Sequence, residues 1–287
     1  MKRILVLGAN GMLGHVVYFY FKKLGTYLIK GVDKSALNKE IDILDVSDFL
    51  LLEEYIKSFK PNIIINCIGI LVKESNFQID VAILLNSYLP NLLSKLGRKL
   101  NYKLIHVSTD CVFSGQKGNY KDNDFRDGDT MYARTKALGE VVNDIDLTVR
   151  TSIIGPELTK NGTGLLDWAF KQKRIVNGYS NVYWSGVTTL ELSKIFHKCI
   201  EQNITGLYQV CSSQKGSKYD LLLLIKEIWS LDQIQIKSYD SYASDKSLVS
   251  IRTDFNYTLL TYYEMLKEMK TWIKENSEIY SHYNLNL

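Results

Sequence analysis

The sequence predicts an α/β fold: a doubly wound parallel sheet with a smaller mixed α/β lobe. Apolar runs alternate with amphipathic segments through the first half, which is typical of parallel strands covered by helices on both faces. A glycine-spaced turn separates the first apolar run from the first amphipathic segment. After Gly155-Pro156 the alternation loosens. We therefore expect one domain over residues 1–155. Residues 156–287 should form mainly the second lobe, with some segments returning to pack on the first domain.

Each element follows from the pattern in turn. Runs rich in Ile, Val and Leu predict strands at residues 3–8, 27–33, 63–69, 104–108 and 147–153. The segments between them predict helices at 12–24, 48–58, 82–100 and 131–143. Further along, the pattern predicts helices at 165–174, 189–201, 218–229 and 263–274, and a strand at 206–212. Residues 234–262 are polar and irregular, and they predict no regular element.

Composition narrows the class of protein. The 287 residues carry a formal net charge of +4, with Lys and Arg dispersed among Asp and Glu. This pattern argues against a nucleic-acid partner and suits a small anionic ligand. The first apolar run breaks at Gly8 and is too short for a signal peptide or a membrane span. The cysteines lack paired or metal-like spacing, so we expect a reduced, cytoplasmic protein without a metal site or membrane partner. They are Cys67, Cys111, Cys199 and Cys211.

The glycine-spaced turn predicts a nucleotide site of the Rossmann type. It reads Gly8-Ala-Asn-Gly11-Met-Leu-Gly14, directly after a strand and before a helix. Glycine allows the tight turn, the close approach of backbone to a pyrophosphate, and close packing of helix on strand. The helix then directs its free N–H groups and its positive dipole end at the phosphates. The predicted cofactor contacts here are Gly8, Asn10, Gly11, Met12, Leu13 and Gly14.

Asp33 is the candidate ribose ligand. It ends the second predicted strand, 19 residues after Gly14. Its carboxylate can accept hydrogen bonds from ribose hydroxyls and repel a 2′-phosphate, which favours NADH. Lys34 and Lys30 can offset that repulsion, so both NADPH and NADH remain open.

Two further strand ends supply cofactor candidates. Asp45 and Val46 can contact the adenine, although a solvated loop acid explains Asp45 equally well. Cys67, Ile68 and Gly69 end the strand at 63–69, where a glycine lets the backbone pass the cofactor. An ordinary strand-to-loop glycine is the equal alternative.

A proton-transfer site is predicted by Tyr132 and Lys136. Four residues apart on a helix, they share one face. An ammonium near a phenol lowers its pKa from about 10. A tyrosine so tuned can donate a proton to a carbonyl oxygen as hydride reaches the carbon. Lys136 can also hold the nicotinamide ribose, and Thr109 can orient the same oxygen. A Tyr-x-x-x-Lys pair alone is usually an ordinary surface pair; its combination with Thr109 and the glycine turn favours catalysis.

Together these motifs resemble the extended short-chain dehydrogenase/reductase superfamily, in particular dTDP-4-dehydrorhamnose reductase and related nucleotide-sugar reductases. The motifs are Gly8-x-x-Gly11-x-x-Gly14, Asn66-x-x-Gly69, Ser108-Thr109-Asp110-Cys111-Val112-Phe113-x-Gly115 and Tyr132-x-x-x-Lys136-x-x-Gly139-Glu140. The likeness extends to Gly206-Leu207-Tyr208-Gln209-Val210 and weakens in the tail. It implies an NAD(P)-binding domain with the catalytic residues at 1–155, and mainly a substrate-binding lobe at 156–287.

The resemblance implies NADPH- or NADH-dependent reduction of the 4-keto group of a nucleotide-activated 6-deoxy sugar, a small-molecule substrate. Thr109, Tyr132 and Lys136 are then the catalytic trio. Ser108, Asn86, Tyr132 and Lys136 join the predicted cofactor residues. Asn86 would also order the catalytic site, and a buried asparagine that bonds backbone is the equal alternative for it. The family also suggests a homodimer through helices 82–100 and 131–143.

Cys111 leaves the chemistry open. Dehydrating relatives carry Asp then Glu after the threonine, whereas this chain has Asp110 and Cys111, which argues against a dehydratase. GDP-fucose synthase resembles this pattern with a cysteine that abstracts a proton, paired with a histidine. One alternative is therefore a nucleotide-sugar epimerase, or an epimerase/reductase, that uses Cys111. A second is a non-catalytic NADP-binding regulatory subunit.

Substrate contacts are predicted from both lobes. Thr109, Asp110 and Cys111 should line the pocket. Trp184 can stack on a ring, with a packed core tryptophan as the alternative. Arg252 can neutralise a diphosphate together with Lys246; solvated surface charge is the alternative reading. The stretch from Tyr120 lacks the proline and glutamate usual in this branch, which puts the substrate in doubt more than the chemistry.

Overall fold

A parallel sheet of seven strands forms the centre of the structure, a computed structural model that describes residues 1–283. Residues 284–287, the end of the predicted second lobe, lie outside the described range. The strands are β1 (Lys2–Leu7), β2 (Tyr27–Asp33), β3 (Asp42–Ile43), β4 (Ile63–Asn66), β5 (Lys103–Thr109), β6 (Tyr120–Lys121), β7 (Leu147–Thr151), β8 (Ile153–Ile154), β9 (Ile175–Trp184), β10 (Val187–Thr188), β11 (Gly206–Gln209), β12 (Gly216–Ser217), β13 (Gln235–Asp245) and β14 (Leu248–Val249).

Helices connect these strands. They are α1 (Gly14–Leu24), α2 (Phe49–Phe59), α3 (Val72–Phe77), α4 (Ile79–Ala82), α5 (Leu89–Leu100), α6 (Met131–Leu138), α7 (Leu165–Lys171), α8 (Thr189–Glu201), α9 (Lys218–Trp229) and α10 (Tyr262–Glu275). A π-helical turn (Ile83–Tyr88) joins α4 to α5, and a short 3₁₀ turn (Asp110–Val112) follows β5. Among residues 1–283, no helix combines the length and the apolar character that a bilayer crossing requires.

The order of the central sheet is β11-β7-β5-β4-β1-β2-β3, with every neighbouring pair parallel. The chain runs outward from β1 through β2 and β3, then crosses to β4 and continues in the other direction. The switch point between β1 and β4 opens a crevice at the carboxyl ends of the strands. Buried side chains fill both faces of the sheet, one beneath α1 and α8 and the other beneath α2 and α5. The predicted Rossmann-type doubly wound fold is confirmed.

After residue 156 the structure contains five strands that the sequence did not predict: β9, β10, β12, β13 and β14. β9 pairs in parallel with β13, and β12 adds an antiparallel edge. Residues 234–262, expected to be irregular, therefore contain the eleven-residue strand β13. Most of its side chains are exposed, so no apolar alternation marks it in the sequence. α7, α9 and α10 cover a separate apolar core that includes Trp184, Trp229 and Trp272.

Several predicted elements end early. The helix expected over 131–143 stops at Leu138, because the chain passes very close to another backbone at Gly139. A Cβ on Gly139 would lie 1.9 Å from the carbonyl oxygen of Asn86. The strand expected at 63–69 ends at Asn66, and the one at 206–212 ends at Gln209. Beyond residue 156 the chain returns to the first domain through α8 on α1, through β11 at the sheet edge and through β14, which pairs with β6.

Candidate active site

The glycine turn lies directly above the end of β1. Gly8 has a positive φ of 75°, and its N–H donates to the carbonyl oxygen of Val32. A Cβ on Gly14 would lie 2.0 Å from the Gly8 carbonyl oxygen. The first turn of α1 therefore packs against the glycine turn with no space for a side chain. This leaves the helix N-terminus open toward the crevice, as a pyrophosphate site requires.

Asn10 and Asp33 lie side by side at this crevice. One carboxylate oxygen of Asp33 accepts the Asn10 backbone N–H at 3.2 Å, and the other accepts the Ser35 N–H and hydroxyl at 2.9 and 2.7 Å. The Asn10 amide donates to the Ser35 carbonyl oxygen at 2.7 Å. Its Oδ1 is buried and has no partner within the described residues. A buried acceptor without a donor is costly, and a ribose hydroxyl supplies such a donor. These residues fit a dinucleotide.

The other residues predicted to lie near the adenosine half of the cofactor occupy different kinds of position in the structure. Asp45 accepts the Ser47 N–H and hydroxyl at 2.9 and 2.7 Å, and these bonds lower the pKa of its carboxyl. Val46 is buried in the core beneath α2. Lys34 adds positive charge near Asp45. Lys30 instead pairs with strand β3, so its ammonium is occupied away from the nucleotide.

The loop after β4 brings backbone to both halves of the site. Ile68 packs on the glycine turn, where a Cβ on Gly8 would lie 2.9 Å from its side chain. A Cβ on Gly69 would lie 4.0 Å from Nζ of Lys136, so this glycine lines open space beside the lysine. Burial raises the pKa of the Cys67 thiol to about 12, which keeps it neutral.

Asn86 orders this loop. Its Oδ1 accepts the Ile70 N–H at 2.8 Å, and its amide donates to the Ile70 carbonyl at 3.0 Å and to the Thr135 hydroxyl at 3.2 Å. The side chain is fully buried, and protein groups engage both its oxygen and its nitrogen. The structure therefore corrects the prediction of a direct cofactor contact: Asn86 ties the loop after β4 to helix α6.

Thr109, Tyr132 and Lys136 converge where β5 ends and α6 begins. Nζ of Lys136 donates to the Val107 carbonyl at 2.7 Å, and burial lowers the pKa of this ammonium to about 8. The Thr109 hydroxyl donates to the Asp110 carboxylate at 3.1 Å. Burial raises the pKa of Tyr132 above its usual 10.0, and the adjacent Thr109 side chain only partly offsets this. The predicted net lowering of the Tyr132 pKa is therefore wrong. The neutral phenol is the form that can donate a proton.

A buried carboxylate supports the lysine from behind. Glu140 accepts two hydrogen bonds from Arg150, each 2.8 Å, and one from Arg126 at 2.9 Å. It also accepts the Ser108 hydroxyl at 2.7 Å, so this hydroxyl already donates to a protein group, and the cofactor contact of Ser108 stays a prediction. The charge of Glu140 raises the pKa of Lys136 against the effect of burial. The motif contained Glu140, but sequence reasoning assigned it no role.

A cavity of about 250 Å³ lies next to the end of β5. Its lining includes Asp110 and Cys111, which directly follow Thr109, together with Trp184, Lys218 and Lys246, whereas Thr109 itself does not line it. Burial raises the pKa of Asp110, and the two ammonium groups lie close enough to oppose that rise. Lys218 was missed because only the tertiary fold brings the start of α9 to this place.

Trp184 is both packed and pocket-lining. Its indole N–H donates to the Ser152 hydroxyl at 2.8 Å, and its ring tilts against Tyr262 with centroids 5.2 Å apart. The side chain is buried, so only part of it borders the cavity. Contacts within the protein therefore hold the Trp184 ring in place.

Arg252 does not reach the site. Its guanidinium donates to the carbonyl oxygens of Thr205 and Leu207 and pairs with Asp254. In the sheet register, Leu207 lies two strands away from β5, level with its residue 106 rather than with Thr109. The structure therefore corrects the predicted substrate role, since Arg252 holds the start of β11. A larger cavity of about 510 Å³ lies beyond the end of β11, and its lining includes neither Thr109 nor the two residues that follow it.

Among residues 1–283, no histidine contacts Cys111; the basic group near its thiol is the ammonium of Lys246. Burial, with a contribution from Asp110, raises the pKa of its thiol to about 11. The four histidines make their contacts elsewhere: His15 with Gly11, His106 with Asn66, His197 with Phe21 and His282 with Tyr283. Within residues 1–283, no three His, Cys, Asp or Glu side chains are grouped to hold a metal ion.

Several known proteins are similar to this chain in sequence. The family described as RmlD substrate binding domain matches residues 1–248. A dTDP-4-dehydrorhamnose reductase of Aggregatibacter actinomycetemcomitans is 32% identical over 142 residues, which are 49% of this chain and 46% of that protein. Methionine adenosyltransferase 2 subunit beta of Xenopus laevis is 24% identical over 252 residues, 82% of this chain and 75% of that protein.

Solved structures agree on the fold. A hypothetical dTDP-4-dehydrorhamnose reductase from Sulfolobus tokodaii superimposes with a TM-score of 0.75 at 26% identity, covering 86% of this chain and 92% of that one. A dTDP-4-dehydrorhamnose reductase from Bacillus anthracis, in complex with NADP, superimposes with a TM-score of 0.79 at 20% identity, covering 95% and 99%.

Proposed function

This chain belongs to the RmlD substrate binding domain family, within the extended short-chain dehydrogenase/reductases, and we propose that it reduces the 4-keto group of a nucleotide-activated 6-deoxy sugar. The cofactor is a nicotinamide dinucleotide, NADPH or NADH, for which the glycine turn, Asn10 and Asp33 form a fitting site. One observation carries the proposal. Tyr132 lies against Thr109 at the end of β5, Nζ of Lys136 is bound at Val107 two residues earlier, and the two residues after Thr109 line a cavity bordered by two lysines.

The chain's own groups perform the proton transfer. The bound cofactor supplies the hydride. Tyr132, protonated because burial raises its pKa, donates a proton to the carbonyl oxygen. The Thr109 hydroxyl, adjacent to it, orients the same oxygen. Lys136, whose ammonium is anchored on the Val107 carbonyl, holds the nicotinamide ribose.

The cavity chemistry supports a nucleotide sugar as the substrate. Lys218 and Lys246 bring two positive charges to a space that also contains the Asp110 carboxylate. Ammonium groups suit the diphosphate of a nucleotide sugar, and a carboxylate can accept bonds from sugar hydroxyls. The part of the Trp184 side chain that lines the cavity adds an apolar surface on which a ring of the substrate can pack.

A second candidate is a subunit that binds the cofactor without turnover. The likeness to methionine adenosyltransferase 2 subunit beta, which spans 82% of this chain, favours it. The complete trio and the lysine-bordered cavity favour the enzyme. The epimerase alternative is weaker, because the pKa of Cys111 is raised to about 11 and its thiolate is scarce at neutral pH.

The proposal includes the setting of the reaction. We place the protein in the cytoplasm, with a small-molecule substrate and neither nucleic acid nor membrane as partner. We also propose a homodimer through the helices at 82–100 and 131–143. Exposed apolar side chains on these segments, Ile83, Tyr88 and Leu138, support that interface.

A direct assay separates these functions. Purified protein is incubated with NADPH or NADH and a panel of nucleotide-linked 4-keto-6-deoxy sugars, and absorbance follows loss of the reduced nicotinamide. The reductase oxidises one cofactor per sugar reduced. Sugar inversion without cofactor consumption would instead establish the epimerase. Cofactor binding without turnover on any sugar, together with a stable complex with another protein, would establish the subunit.

A further inference from the structure

A series of three hydrogen bonds connects helix α10 to the glycine turn. The indole N–H of Trp272 donates to the Tyr280 hydroxyl oxygen at 3.1 Å. The Tyr280 hydroxyl lies 2.8 Å from Nε2 of His15. Nδ1 of His15 lies 2.7 Å from the carbonyl oxygen of Gly11. The first two bonds are buried, together with the side chains of Trp272, Tyr280 and His15, and the third is partly buried because Gly11 is exposed.

The chemistry of the donors and acceptors fixes the direction of each hydrogen bond in this series. Indole nitrogen only donates and a carbonyl oxygen only accepts, so Nδ1 of His15 carries the proton that reaches Gly11. Nε2 then accepts from the Tyr280 hydroxyl, which itself accepts from Trp272. Burial lowers the pKa of His15 to about 4, which keeps the ring in this neutral form.

The Gly11 carbonyl oxygen accepts two hydrogen bonds from His15, one from its backbone N–H at 3.2 Å and the shorter one from Nδ1 of its ring, and the ring bond reinforces the orientation of this peptide plane in the nucleotide site. The Gly11 carbonyl points at His15, and in a trans peptide the N–H of the next residue points the opposite way. That N–H belongs to Met12, in the turn that opens α1. It therefore faces away from His15, toward the crevice where a pyrophosphate binds.

A second contact reaches the other side of the same turn. The Tyr283 hydroxyl accepts the Glu157 backbone N–H at 2.7 Å, and the Glu157 carboxylate accepts the Gly164 N–H. Gly164 lies against Met12, because a Cβ there would come within 2.4 Å of the Met12 methyl carbon. Tyr280 and Tyr283 thus hold both sides of the glycine turn.

We propose that residues 276–283, here called the C-terminal turn, position the cofactor's pyrophosphate site from outside it. His15 and Tyr280 are positioning residues that fix the Gly11–Met12 peptide plane, and Tyr283 fixes the loop at 157–164 against it. The inference concerns cofactor affinity alone and requires no sugar chemistry.

The test measures cofactor binding to the full-length protein without sugar. Tyr280→Phe keeps the ring and removes only the hydroxyl. The Kd for NADPH and NADH, measured by calorimetry, should rise about threefold to tenfold, the size expected for one lost buried hydrogen bond. Tyr283→Phe, an independent variant in the second contact, should raise the Kd about twofold to fivefold.

A matched control separates positioning from general stability. The Tyr102 hydroxyl also makes a buried hydrogen bond, to the Leu93 carbonyl at 2.7 Å, on the other face of the sheet. Tyr102→Phe should lower the Tm by a similar amount and leave the Kd unchanged. In the double variant with His15→Ala, Tyr280→Phe should add no further loss of affinity. A wild-type Kd in both Tyr280→Phe and Tyr283→Phe, an equal change in the control, or additive effects in the double variant would each overturn the proposal.

Discussion

The two sides of the active-site crevice are built differently. On the side of the first domain, hydrogen bonds hold the polar groups in place. Asp33 accepts the Asn10 N–H, Lys136 donates to the Val107 carbonyl, and Glu140 accepts from two arginines. On the second-lobe side, Lys218 and Lys246 border an open cavity, and neither makes such a bond within the described residues. Under the proposed function, the groups around the reacting atoms are held in place by hydrogen bonds, whereas the two lysines that would contact the substrate can adjust their positions.

Removing the proton donor tests the rigid side most severely. Tyr132→Phe should lower kcat about 10²–10⁴-fold, because it removes the acid and leaves the ring in place. Cofactor affinity should stay at the wild-type value, measured by titration. Near-wild-type turnover in this variant would remove Tyr132 from the mechanism.

The next test concerns the support behind the lysine. Glu140→Gln leaves the buried Arg150 without its charge partner, so the free energy of unfolding should fall by about 3–5 kcal/mol in a denaturant titration. Glu53→Gln is the matched control, since Glu53 pairs with lysines at the surface and its loss should leave the midpoint unchanged. An equal loss of stability in the two variants would contradict the role of Glu140 as the buried charge partner of Arg150.

The two lysines on the second-lobe side of the crevice should affect the KM for the sugar. Lys246→Ala and Lys218→Ala should each raise the KM for the sugar about tenfold, as expected for a lost charge-assisted contact to phosphate. Cofactor Kd should not change. Lys267→Ala, a surface variant on α10, controls for net charge. A KM change as large in the control would show that the cavity lysines do not contact the substrate.

The smallest expected effect is a pH dependence. Burial lowers the pKa of Lys136 to about 8, so its ammonium is present below that pH and lost above it. If the charged form holds the nicotinamide ribose, kcat/KM should halve near pH 8 and fall further above it. Because Glu140 raises this pKa, Glu140→Gln should move the fall to lower pH. A flat profile from pH 7 to pH 9 would contradict a role for the Lys136 charge.

Much of the first domain was predictable because its signals are local. The apolar run at Ile4–Leu7, the glycine turn and the four-residue spacing of Tyr132 and Lys136 each lie in one short segment. The family membership that these motifs predicted is confirmed by the match over residues 1–248. The trio and cofactor roles stay predictions that the geometry supports.

What the sequence missed depends on distant contacts. β13 is largely exposed, and its pairing partner β9 lies far back in the chain, so no local pattern marks it. Glu140 follows the end of α6, and its pairing with Arg150 requires this segment to lie against β7. Arg252 was assigned to substrate on charge alone, and the fold placed it at the start of β11.

One labelling experiment tests the central claim most directly. NADPH carrying deuterium at both positions of the nicotinamide C4 is incubated with the protein and a nucleotide-linked 4-keto-6-deoxy sugar, and mass spectrometry examines the product. The account predicts one deuterium on the reduced carbon of each product sugar with the wild type, and almost no labelled product with Tyr132→Phe. Product that carries solvent hydrogen in place of deuterium, or equal labelling by both proteins, would contradict it.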